Sequence, residues 1–560
     1  MRLSPSKRPN VSRPARRLIT LMGSMTLTAG LVVAATPTAS AADSVTDLGV
    51  RLSIADHSEV SAGGDKVFVS AGDRVLVTDT EGVLLGAVTG LPGVEELVAT
   101  PDGAHAYAAL SDSHEVVEID AAALTVTRRI DFTAYSCLTD LALSGQTLWT
   151  AHGCDLYTGG VVTRLDVSAP APQPVTVLTG QGSAPRIAVA GNTLLLSPPD
   201  TASADVVVYD VSAGSATLRG EIDGGDLATT SRPGFTITPD GSTAVLAFSG
   251  GFESWDLASL TKLRDYGQNP AVRGQAIDFA VSPDGDHLAG GWWQGDRGVE
   301  LYDLATGATT YTQKIPSGWP TPRILTMTIA GNDVFSVLYT SGTTNLRLWR
   351  LEDATLLPSS VTLSAPTEGA TALEPVKLTG RLTLPEGMTP GLRSLQVTRR
   401  LPEGTSTQLR HAKTKLDGTF SITDTPPTAG TVSYDASWPG STTVRGSTAS
   451  ASVDVARQSA SLTLHGNTDL VLGNRLYFWG TLKFGDQAPT TSPSLTVIRA
   501  NPDGTSTELG TTQVAASGGF KIGDTPDQEG EYLYSVVFLG DDTAEGTIEA
   551  HSVTVRAGRV

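Results

Sequence analysis

Between Ser58 and Asp353 apolar and polar residues alternate in short runs broken by Gly, Asn or Pro-Asp-Gly. A period of two bounded by turn residues predicts half-buried strands joined by tight turns. One unit recurs seven times: a strand, a Gly turn, a second strand, and a third strand ending in an acid. That acid falls at Asp79, Asp120, Asp166, Asp210, Asp256 and Asp303, at spacings of 41, 46, 44, 46 and 47 residues, and Arg350 takes the seventh place 47 residues on. Three units share one turn: Thr100-Pro101-Asp102-Gly103, Thr238-Pro239-Asp240-Gly241 and Ser282-Pro283-Asp284-Gly285. Proline presets φ, Asp bonds its own backbone, and Gly accepts positive φ.

A period in the forties predicts a β-propeller, with seven blades over residues 42–356. Trp255-Asp256, Tyr302-Asp303 and Tyr209-Asp210 stand where a WD-like dipeptide would, and the region resembles the WD40 and YVTN-type propellers. The Gly-His dipeptide of WD40 repeats is absent, so a bacterial extracytoplasmic YVTN-like propeller is the better match. The seventh unit lacks a fourth strand, and Val45–Leu52 is expected to supply it. The hairpin about Ser144–Thr147 sets position 137 opposite 154, the places of the chain's two cysteines. A disulfide Cys137–Cys154 is expected, with free thiols or a redox pair as alternatives. Closing about 16 residues is worth roughly 3 kcal/mol in the chain-entropy picture.

Beyond residue 356 the pattern repeats at a register of 100 residues: Gly380 with Gly480, Phe420 with Phe520, Asp424 with Asp524, Tyr434 with Tyr534, Trp438 with Phe538. Short alternating strands predict two β-sandwiches, 357–457 and 458–560. The closing Tyr-x-x-x-(Trp/Phe)-x-Gly resembles bacterial Ig-like repeats, which implies a spacer or an attachment module. In Tyr477-Phe478-Trp479 successive residues face opposite sides, so at least one belongs to the core. The fold class is therefore all-β: a seven-bladed propeller with two C-terminal Ig-like sandwiches.

The N-terminus departs from this pattern. Arg2, Lys7, Arg8, Arg13, Arg16 and Arg17 precede an apolar run, Leu18–Ala35, and Ala39-Ser40-Ala41 offers a cleavage site. Residues 1–41 read as a signal peptide, through general secretion rather than the twin-arginine route that Arg16-Arg17 partly matches. Cleavage changes the net charge from −19 to −25. So acidic a chain is not expected to bind nucleic acid or anionic membrane. A secreted monomer is expected, with no membrane segment after cleavage.

Candidate chemistry is sparse. Arg186, Arg232, Arg273 and Arg323 precede four successive inner strands; they either hold an anion or pair with acids such as Asp226 and Asp278. Trp292 and Trp293, with Trp319 and Tyr339, offer either sugar stacking or packing between blades. Glu59, Glu95 and Asp140 are expected near the central funnel. His105, His114, His152 and His287 are scattered, so no metal is expected, and no cofactor motif is present. The preferred function is binding of an extracellular protein or of a polysaccharide or cell-wall polymer. The alternative is a propeller lyase, lactonase or hydrolase acting on an anionic metabolite or glycan.

Overall fold

The computed structural model describes residues 43–52, 58–135, 137–153, 159–181, 185–197, 205–224, 234–248, 250–268, 275–293, 298–316, 322–340 and 345–558. Among them every regular element is a strand, and no helix is long and apolar enough to cross a membrane. Residues 1–41, expected from sequence to be a signal peptide, lie outside this set.

Seven four-stranded antiparallel sheets fill the region up to residue 351. The first runs Val60–Gly63, Lys66–Ser70, Arg74–Asp79, Leu84–Thr89, and five more repeat this order in sequence. The seventh contains Pro322–Ala330, Asp333–Thr340 and Asn345–Leu351, and its fourth strand is Ser44–Arg51 from the other end of the region. Ser44 pairs with Arg350 and Thr46 with Leu348. Each sheet touches the next, and the innermost strand of the seventh touches that of the first. An apolar cluster lies at every such contact. Between seventh and first it contains Leu48, Val69, Phe335 and Leu348, all nearly inaccessible to solvent.

The repeated acid has a local cause. Asp120 Oδ1 accepts N–H bonds from Ala122 and Ala123 at 2.9 and 2.8 Å. Asp166, Asp210, Asp256 and Asp303 accept in the same way from Ser168, Ser212, Ser259 and Thr306. Each acid therefore caps the turn between third and fourth strands. Arg350, the exception, reaches back to Asp333 Oδ2 at 2.7 Å. In the shared turn, Thr100 Oγ1 donates to Asp102 Oδ1 at 2.6 Å and Gly103 sits at φ 69°, as the residue types require.

The C-terminal region holds two pairs of facing sheets, each pair around its own core. In the first, Val376–Thr383 lies between Ser360–Ser364 and Thr419–Asp424, while Gly430–Gly440 pairs with both Ser394–Arg400 and Arg445–Ala456. The second repeats the arrangement with Leu476–Phe484 and Gly530–Phe538 in the central places. Gly380 and Gly480 are needed for close packing. A Cβ would lie 2.4 and 2.6 Å from the rings of Phe420 and Phe520.

The same buried clamp serves both. Asp424 accepts from Tyr434 Oη at 2.9 Å and from Arg399 Nη1 at 3.1 Å. Asp524 accepts from Tyr534 Oη at 2.7 Å and from Arg499 Nη1 at 2.9 Å. Burial, followed by the partner carboxylate, raises both phenols above their ordinary range. The entries into the two sandwiches also match. Arg445 N–H donates to the Leu357 carbonyl, and Glu545 N–H to that of Gln458.

Candidate functional site

The hairpin register identifies one equivalent position on the innermost strand of each of the seven sheets. It lies four residues before the first turn residue, and its occupants are Glu59, Glu96, Asp140, Arg186, Gly234, Asp278 and Thr326. In the second, third, sixth and seventh sheets a bulge immediately precedes it. A bulge adds one unpaired residue and turns the following side chain toward a new direction. The expected Glu95 is itself the bulged residue, so Glu96 takes the ring position. Simple alternation along the strand does not foresee this shift.

The bulge also corrects the cysteine register. Asp140 pairs with Ala151, but Leu138 pairs with His152, one residue short of the hairpin count. The Cys137 carbonyl consequently accepts from Gly153 N–H at 2.9 Å. Cys154 lies outside the described residues.

Arg186 is the cation of the ring. Its Nη2 stands 3.6 Å from Glu96 Oε1 and its Nε 3.8 Å from Asp140 Oδ2. A third of its side chain remains accessible, although it lies deep in the protein, because it lines a cavity of about 290 Å³ shared with Glu96, Asp140, Phe235 and Thr236. Burial opposes its charge. Asp140, Glu96, Glu59 and Asp278 outweigh that and push the guanidinium above its ordinary value.

The acids also bind backbone. Asp140 Oδ2 accepts from Ile187 N–H at 2.7 Å, and Asp278 Oδ2 from Met327 N–H at 2.6 Å. In both cases the donor follows the ring residue of the next sheet, so each carboxylate ties two sheets together. Glu59 Oε2 accepts from Thr326 Oγ1 at 3.0 Å across the seventh-to-first contact. Burial, then the charge of Asp278, pushes the Glu59 carboxyl up to about 7, against the pull of Arg186. Burial likewise raises Asp278 to about 6, against the N–H groups of Met327 and Phe279 and the charge of Arg186. The ring can thus hold a proton near neutrality.

Of the four arginines singled out from sequence, Arg186 reaches this ring. Arg232 and Arg273 lie outside the described residues, as do Asp226 and Trp319. Arg323 pairs through its backbone with Tyr339, and its side chain is not among those described. Trp292 is 1% exposed and packs edge-on against Phe252 at 5.4 Å, which is the inter-sheet packing arrangement. Nothing is described of the Trp293 side chain. His152 is buried against Tyr135 at 4.9 Å, with Nε2 2.7 Å from Thr150 Oγ1. Among the described residues no cluster of His, Cys, Asp or Glu is arranged to hold a metal. Counting back four from every turn would also have found Glu96, Gly234 and Thr326.

No family model matches this sequence, and no curated protein does. Many solved structures resemble it in part, among them the following three. The β-propeller domain of Cps50 (Swd1) from Myceliophteria thermophila is 14% identical with a TM-score of 0.41, covering 55% of this chain and 99% of its own. Hydrazine synthase from Kuenenia stuttgartiensis is 16% identical with a TM-score of 0.42, covering 54% and 97%. Hsv2 from Kluyveromyces lactis is 11% identical with a TM-score of 0.37, covering 53% and 98%.

Proposed function

We propose that this chain is an exported binding protein: a seven-bladed β-propeller that presents a recognition surface, carried on two Ig-like sandwiches that space or attach it. The partner would be an extracellular protein or a cell-wall polymer. One observation carries the reading. The charges of the central ring are engaged in holding sheets together, Asp140 and Asp278 through neighbouring N–H groups and Arg186 through two acids. A scaffold braced in this way leaves recognition to the loops at its rim. Cyclic contact between the sheets and the borrowed strand Ser44–Arg51 support the propeller. A disulfide Cys137–Cys154 would pin the open end of one hairpin. Peptide mapping without reductant should find the two cysteines linked.

The test uses purified residues 42–560. Thermal shift and calorimetry against soluble cell-wall fragments and candidate secreted proteins should give saturable binding. Esters, lactones and glycosides should not be turned over. Turnover of any of these that is lost in Glu59→Gln would reverse the reading.

The enzyme alternative has its own support, since a carboxyl near pKa 7 beside a second near 6 has the properties of a general acid and base. It calls for a bell-shaped pH–rate profile with its basic limb near pH 7, and for loss of turnover in Glu59→Gln.

A further inference from the structure

The outward face of the sheet Ala460–Gly466, Leu476–Phe484, Gly519–Asp524 differs from ordinary strand surface. Phe478 is fully buried, while Tyr477 and Trp479 are 45% and 51% exposed on the opposite side. Alternate residues of one strand stand about 7 Å apart on the same face, so the rings form a continuous step. Across the strands Trp479 has His465 on one side and Lys521 on the other, and Tyr477 has Gly523. Lys521 Nζ lies 4.8 Å from the Tyr477 ring centroid, and the Arg475 guanidinium 5.5 Å from it. Gly523 keeps this space open, for a Cβ there would come 3.0 Å from Arg475 Nε and 3.4 Å from Tyr477 Cε1. No acid occupies an outward position on this sheet, in a chain whose net charge is −19.

We infer that this face binds an anionic polysaccharide, a glycan polymer bearing carboxylate, sulfate or phosphate. The inference rests on reading the tandem as an attachment module. Sugar rings lay their C–H faces on aromatic rings, as Tyr and Trp with a polar rim permit. Lys521 and Arg475, both exposed, supply the charge complement, and His465 and the flanking threonines supply hydrogen bonds. The other outward positions of these strands, Ser461, Thr463, Thr481 and Lys483, are polar or charged, which suits a hydrated glycan better than the desolvated, charge-poor centre of a protein interface. The equivalent positions in the first sandwich, Lys377 and Thr379, carry no aromatic ring, so the binding is assigned to the second sandwich alone.

Biolayer interferometry of residues 42–560 on immobilised polygalacturonate, chondroitin sulfate, teichoic acid and neutral dextran tests this. Saturable binding is expected to at least one of the three anionic polymers and not to dextran. Trp479→Ala and Tyr477→Ala should each weaken it about tenfold. Lys521→Gln should weaken it less and flatten its salt dependence. All three changes are on exposed side chains, so unchanged melting curves establish that the variants are folded. Equal binding to dextran overturns the proposal. Binding that persists in Trp479→Ala and Tyr477→Ala overturns this face while leaving attachment to another part of the chain. Binding to none of the polymers overturns both the face and the attachment role.

Discussion

Two sets of equivalent positions in this molecule are used in opposite ways. The clamp Arg–Asp–Tyr is the same in both C-terminal sandwiches, whereas the ring position of the seven sheets holds two glutamates, two aspartates, an arginine, a glycine and a threonine. Both are largely buried sites on or beside strands. The clamp closes on itself within one sandwich, so every copy needs every member. The charged ring residues and Thr326 instead reach to other sheets, so each is matched to a different neighbour, and Gly234, without a side chain, makes no such contact. Identity across copies marks a group required by its own unit, and variety marks one fitted to a unique place.

Breaking the clamp should have the largest effect. Asp424→Ala or Asp524→Ala leaves a buried arginine and a buried phenol without their acceptor and should cost about 3–4 kcal/mol in either copy, read by urea unfolding. Unequal losses would mean that the two clamps are not equivalent. Arg186→Met removes the cation between Glu96 and Asp140 and should cost about 3 kcal/mol, reduced by the water that reaches it through the cavity. Here no second copy exists for comparison, and a cost below 1 kcal/mol would show that the ring is solvated rather than structural.

Glu59 sharpens the contrast through pH. Its carboxyl binds a proton more tightly in the folded chain, at about 7, than at its ordinary 4.5. Raising pH through that window therefore favours unfolding, by about 3 kcal/mol in all, and Asp278 acts in the same direction. Glu59→Gln should flatten the dependence between pH 5 and 7, and an unchanged slope would place the titration elsewhere. The smallest effect on stability belongs to the outward faces. Exchanging Thr379→Trp and Trp479→Thr should change unfolding free energy by less than about 0.5 kcal/mol. Polymer binding should nevertheless be lost.

The repeating backbone signals were legible because they are local. Each strand-ending Asp bonds a residue two to four further on, and each Pro-Asp-Gly fixes its own turn. Alternation likewise required at least one of Tyr477, Phe478 and Trp479 in the core, and it is Phe478 that lies there. The ring was legible in part: Glu59, Asp140, Arg186 and Asp278 were singled out from sequence, but Glu95 stood in for Glu96 because bulges shift the register by one, as also at Thr139, where the cysteine count slipped. The clamp was half seen. Asp424 and Tyr434 were matched to their copies, but Arg399 and Arg499 sit 25 residues before their acids, and nothing in spacing alone links them.

The strand Ser44–Arg51 also governs the order of folding. Its partner residues, Asn345 to Arg350, emerge about 300 residues later. A chain synthesised or exported from its N-terminus carries this strand unpaired through the whole of that interval. Joining ends so distant costs roughly 5 kcal/mol of loop entropy, and such non-local pairing slows folding. The six sequentially wound sheets can assemble as they emerge, whereas the seventh must wait. That seam is where a proteolytic cut or a truncation before Arg51 should open the molecule first.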